Sequence, residues 1–167
     1  RSAPVQGLPA VMAQGQAGLF DLLLHRAFAD NGLLYLSFAV GTPEANHLRV
    51  VRARFDGTQL LDVTPVFTSQ PAKKASQHFG GRLAWLPDGT YFITDGYGGT
   101  RVAKFGPNDE FIKDWGQAPK DPANPGPNEF NTVHSIAISA DQRLYVVGCM
   151  TEIARDGGPW QLVYCWT

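Results

Sequence analysis

The chain has 167 residues, 14 Lys and Arg against 15 Asp and Glu, a formal charge of −1, and 44% hydrophobic residues. This fits one folded domain and excludes wholesale disorder, and near-neutral charge argues against the broad basic surface of a non-specific nucleic-acid binder. No apolar run reaches the roughly 18 residues of a membrane helix, so no membrane partner is expected. The first residues lack the charged, apolar and small-residue series of a signal peptide, which is expected either not to exist or to have been removed.

Eighteen Gly and twelve Pro predict short elements cut by tight turns. In chain order, the first hairpin is Leu19–His25, a turn at Ala29-Asp-Asn-Gly32, and Leu33–Ala39. A third strand follows over His47–Phe55, and a fourth, outer one over Gln59–Phe67. The second hairpin is Arg82–Leu86, the turn Pro87-Asp-Gly89, and Thr90–Thr94. Its third strand is Thr100–Phe105 and its fourth Glu110–Trp115. The third hairpin is His134–Ser139, the turn Ala140-Asp-Gln142, and Arg143–Val147, with Trp160–Trp166 as its third strand. Asp-Gly and Asp-Asn-Gly supply the left-handed backbone that short hairpins need. Tyr, Phe, Ile and Val supply side chains that pack on a pleated sheet. Only Leu19–Ala29 could be drawn as a helix, where the other copies carry a strand.

The copies are marked by Tyr35, Tyr91 and Tyr145, spaced 56 and 54 residues apart. Antiparallel strands repeating at this period predict an all-β fold of β-propeller blades, each a four-stranded antiparallel sheet. Three blades, approximately 8–67, 78–115 and 130–167, use up the chain as a single half-propeller domain. Closed propellers carry about four to eight blades, and open edges leave backbone groups unpaired. Half of a six-bladed ring is expected, completed by a second copy or a partner chain. Val40–Asn46, Thr68–Gln77 and Gln117–Phe130 read as loops at the mouth of the central channel, where sites form.

Cys149 and Cys165 are the only cysteines. They read either as buried free thiols or as a disulfide across neighbouring strands, which would imply an oxidising compartment. The four tryptophans read as packing residues, and the Arg49–Arg54 run as a wet strand face.

Residues 8–95 resemble the soluble glucose and aldose sugar dehydrogenases that use pyrroloquinoline quinone (PQQ), the glucose/sorbosone dehydrogenases. The matching residues are Gly15-Gln-Ala-Gly-Leu-Phe-Asp-Leu22, His25 with Phe28–Ser37, Arg49–Arg54, and His78-Phe-Gly-Gly-Arg-Leu83 followed by Pro87-Asp-Gly-Thr90. The resemblance implies a six-bladed propeller, PQQ with calcium, a sugar substrate, and a secreted or periplasmic location. It places His78 where the family holds the general base for the sugar C1 hydroxyl, a task that suits an imidazole near neutral pH. It places Gln16 where the family has a sugar-contacting Gln. The family's cofactor grip lies in later blades, and no part of this chain matches it.

Residues 91–147 are more similar to the NHL-repeat propellers, including the lyase that cleaves peptidyl hydroxyglycine. The match runs through Asp95-Gly-Tyr-Gly-Gly-Thr-Arg-Val-Ala-Lys-Phe105, Phe111–Gly116, Pro127–Phe130 and His134–Ile138. That resemblance puts His134 on a zinc-ligand position and Tyr97 on a catalytic tyrosine, also a candidate substrate contact. Zinc catalysis wants three protein ligands and an open position, and only His134 is matched. Three functions are therefore carried forward: PQQ-dependent oxidation of an aldose at C1, a non-catalytic propeller module for binding or assembly (an isolated or assembled fragment), and zinc-dependent lyase activity.

Overall fold

The computed structural model describes residues 3–77, 79–96, 99–121, 128–130, 132–149 and 160–166, the stretches 148–149 and 160–166 by backbone alone. His78 and Tyr97 lie outside the described residues. The chain forms two compact units, Arg1–Gln77 and His78–Thr167.

The first unit is one antiparallel sheet. Its strands are β1 (Leu19–Leu24), β2 (Leu33–Thr42), β3 (Ala45–Phe55) and β4 (Leu60–Thr68), hydrogen-bonded in that order. Strand β1 falls on the segment that could have been drawn as a helix. The β1–β2 connection is longer than a plain hairpin turn, because α1 (Phe28–Asn31) makes one helical turn that ends at the left-handed Gly32. His25 Nδ1 accepts from the Ala27 N–H at 3.1 Å, and Asn31 Oδ1 accepts from the Leu33 N–H at 2.9 Å. Both side chains favour a local turn over a ladder.

Alternation sets the two faces of this sheet. Leu34, Leu36, Phe38, Val51, Ala53 and Leu60 form one buried cluster. Tyr35, Ser37, Ala39, Leu48 and Val50 are buried on the other face. The β3–β4 turn is held by Asp56, whose carboxylate accepts from the backbone N–H groups of Gln59 and Thr58, both at 2.9 Å, and from both their side chains. These bonds, led by the one from the Gln59 backbone, hold its pKa below the ordinary carboxylate value.

The second unit holds two sheets. One is β5 (Leu83–Trp85), β6 (Tyr91–Asp95), β7 (Arg101–Phe105) and β8 (Phe111–Trp115). The other runs in the order β11 (Trp160–Trp166), β10 (Leu144–Cys149), β9 (Val133–Ile138), so it has three strands among the described residues rather than four. Phe92 and Val102 of one sheet and Val133, Leu144 and Val146 of the other share a core with Phe130. Trp115 packs against that core, a packing role as its residue type implied.

Each marker tyrosine sits in the second strand of its sheet, in β2, β6 and β10. Tyr35 and Tyr91 are buried, and the Tyr91 hydroxyl donates to Asp109 Oδ1 at 2.9 Å. The β10–β11 register opposes Cys149 to Trp160 and Cys165 to Tyr145. That offset of four positions along β10 is roughly 13 Å at strand rise, beyond the roughly 7 Å Cα separation a disulfide can bridge.

Candidate functional site

At one end of the first sheet lie the Gln14–Gly18 turn, the β2–β3 turn and the loop after β4. The Gln16 N–H donates to the Ser76 carbonyl at 2.7 Å. Gly15, with φ +64°, lies so close that an added Cβ would come within 2.5 Å of Ser76 Oγ. Gln16 itself is exposed at this junction. The fold therefore ties Gln16 to the loop that follows β4.

The loop is tied down by Asn46, which is fully buried. Its backbone exchanges two hydrogen bonds with Lys73, at 3.0 and 2.9 Å. Its Nδ2 points at the carbonyls of Thr42 (3.1 Å), Pro43 (3.3 Å) and Ala75 (2.7 Å). His47 Nδ1 lies 2.7 Å from the Ser69 carbonyl, and Arg49 Nε donates to Thr68 Oγ1 at 3.2 Å.

In the second unit the Phe79-Gly-Gly stretch continues into a clamp. The Gly81 N–H donates to the Thr94 carbonyl at 2.7 Å, and the Arg82 N–H to Thr94 Oγ1 at 2.8 Å. Thr94 is completely buried. A Cβ on Gly80 would lie 2.6 Å from the Val133 carbonyl and 2.7 Å from the Gly96 nitrogen, and a Cβ on Gly96 would collide with the Val133 carbonyl. These backbones meet only because neither glycine has a side chain. Gly96 precedes Tyr97, and Val133 precedes His134. Gly80, Gly96 and Val133 therefore meet at one point of the second unit. His134 itself is half-buried in β9 and makes contacts of its own.

Beside this junction Asp95, 1% exposed, accepts from Arg101 Nε at 3.0 Å, and Arg101 Nη1 donates to Asp114 at 2.8 Å. Burial opposes the guanidinium charge, but its bonds and attraction to Asp95, then Asp114, outweigh that and raise its pKa above the ordinary value. The network braces the loop after β6: a Cβ on Gly99 would strike the Asp95 carboxylate. No local sequence pattern reveals this network, because Asp95, Arg101 and Asp114 come from three strands.

Among the described residues no group of three or more His, Cys, Asp or Glu is placed to hold a metal ion. The described cations near the second sheet are engaged: Arg101 between two carboxylates, Lys104 5.6 Å from the Phe92 ring centroid and Lys113 4.5 Å from that of Trp115. A planar polycarboxylate cofactor with calcium needs clustered cations and oxygen ligands, and these residues do not fit it by themselves.

The sheets, with consecutive strands hydrogen-bonded in order, are those of a β-propeller, and solved structures share the fold. A glucose dehydrogenase superposes with a TM-score of 0.73 over 89% of this chain and 52% of its own, at 23% identity. The PQQ-bound form of the aldose sugar dehydrogenase of Streptomyces coelicolor superposes with a TM-score of 0.62 over 87% and 46%, at 24% identity. Residues 1–118 match the Glucose / Sorbosone dehydrogenase family, and the chain belongs to that family. Aldose sugar dehydrogenase YliI of Escherichia coli is 37% identical over 98 residues, 57% of this chain and 26% of that protein. Protein slr1608 of Synechocystis is 45% identical over 89 residues, 53% and 22%. Peptidyl-glycine alpha-amidating monooxygenase B of Xenopus laevis is 37% identical over 54 residues, 32% of this chain and 6% of that protein. The chain thus spans about a quarter of the length of these two bacterial relatives and about half of that of the solved structures.

Proposed function

We propose that this chain carries the sugar-binding blades of a PQQ-dependent aldose dehydrogenase, which oxidises its substrate at C1. The observation that supports this most is the bond joining Gln16 to Ser76, two positions before His78, within the segment that matches the family. In this reading Gln16 orients the sugar hydroxyls, and His78 takes the proton of the C1 hydroxyl. Tyr97 is a further proposed substrate contact. The oxidation also needs a two-electron acceptor, and we place its cradle, with calcium, on the blades that complete the ring.

A partner chain that carries the family's later blades is the proposed source, because a second copy would bring only the same residues. Leu19, Leu22 and Leu24, each at least 45% exposed, border an apolar cavity of about 390 Å³ on the first sheet, the kind of face that marks a protein contact. Mixed with that partner, the chain is expected to give the summed mass in light scattering, and Leu22→Asp the separate masses. The proposed location is secreted or periplasmic; among the described residues no helix is long and apolar enough to cross a membrane.

The experiment is aldose-dependent dye reduction by the chain assembled with that partner and supplied with PQQ and calcium. His78→Ala is expected to abolish it with the fold retained. Reduction unchanged in that variant would remove His78 from the mechanism, and no reduction by the wild type would favour a binding module.

The likeness to the amidating monooxygenase favours a second reading, a zinc-dependent lyase with His134 as a ligand. Metal analysis of the purified protein distinguishes the two, since stoichiometric zinc supports only the lyase.

A further inference from the structure

We infer that Asn46 is a positioning residue for the sugar site, acting through the 71–77 loop; this rests on the reading of Gln16 as the sugar contact. Three carbonyls converge on its Nδ2, two from the β2–β3 turn and one, Ala75, from the loop. Its backbone pairs with Lys73 in both directions. The next carbonyl after Ala75, that of Ser76, is the one that holds the Gln16 N–H. The line of contact therefore runs from Asn46 to Ala75, then Ser76, then Gln16.

The chemistry of the position is narrow. An amide donates two N–H bonds, which is what a cluster of carbonyl oxygens demands. Asp would set a carboxylate oxygen against the same carbonyls, and Ala would leave them without their donor. The orientation of the amide is fixed by those carbonyls, because turning it over would set oxygen against oxygen. Its Oδ1 has no partner among the described residues although it is buried. The donor side alone is thus used, and it is spent on holding the loop to the hairpin. Asn46 touches neither Gln16 nor the expected sugar, so its effect on binding is indirect.

The test titrates an aldose into labelled protein and follows backbone amide shifts, with Asn46→Ala and Asn46→Asp beside the wild type. Both folded variants are expected to bind the aldose about tenfold or more weakly, the scale of loss when a positioning group shifts. The near-isosteric Asp variant should match Ala, because the donors and not the volume matter. Wild-type affinity in Asn46→Asp would overturn the inference. Hydrogen exchange on the wild type decides the case in which neither variant folds. The Asn46, Lys73 and Gln16 amides are expected to open together, and Gln16 exchanging independently of the other two would overturn it. Wild-type protein that binds no aldose would instead sink the sugar reading, while the exchange result would still judge the clamp.

Discussion

Replacing Arg101 with Met keeps most of the side-chain volume and removes the guanidinium from a carboxylate that is only 1% exposed. At the observed 3.0 Å and an effective dielectric of about 20, the lost attraction is roughly 5–6 kcal/mol before desolvation is counted. Losing one partner of a buried pair costs about 3–5 kcal/mol, because the remaining charge is stranded. The Arg101 side chain is 28% exposed and its second partner, Asp114, 38%. Water can partly replace the guanidinium and the outer arm adds little, so the loss should fall near 3 kcal/mol, the low end of that range. The assay is denaturant unfolding of Arg101→Met, Asp95→Asn and the double variant. The double variant should recover much of the loss, giving a coupling of about 1–3 kcal/mol. A loss below about 1 kcal/mol for Arg101→Met, or strict additivity in the cycle, would refute the view that this pair braces the loop after β6.

Phe38→Ala, at a fully buried site of the first sheet, should destabilise by about 3–5 kcal/mol in the same unfolding assay. Gly15→Ala would force a Cβ against Ser76 at a backbone φ of +64°; weaker aldose binding with little loss of secondary structure is expected from titration and circular dichroism. The folded-state pKa of Asp56 is lowered from 3.8, so the folded state binds fewer protons than the unfolded one. Its contribution is full above the ordinary value and fades as pH falls below about 4. Asp56→Asn keeps an acceptor for the turn and loses the charge, so its melting temperature should fall less steeply with acid than that of the wild type.

Local signals made most of the blades legible. Asp88-Gly89 predicts a tight turn, and the structure has the Leu86 N–H bonded to the Thr90 carbonyl across it, with Asp88 accepting from the Thr90 N–H. The hairpin turns and the repeated tyrosines make the strand order legible because each depends only on near neighbours, whereas the Arg49–Arg54 run is not one wet face: Val50 and Val51 are both buried, on opposite faces of β3. The single turn of α1 was not read, since His25 and Asn31 act on the backbone of one short segment. The site was legible only as candidates. Gln16 and the His78 segment could be named from resemblance, but the roles of Ser76 and Asn46 depend on partners from separate loops. Asn46 meets Ala75 across 29 positions, and Gly80 meets Val133 from another sheet. Those approaches are set by packing, which no local pattern encodes.

The most direct measurement is aldose binding mapped by backbone amide shifts on the intact protein. The account predicts that added glucose perturbs Gln14–Gly18 and Ser76 as one cluster. Shifts centred instead on the opposite end of the first sheet, around Ala29–Gly32 and Asp56–Gly57, would contradict it.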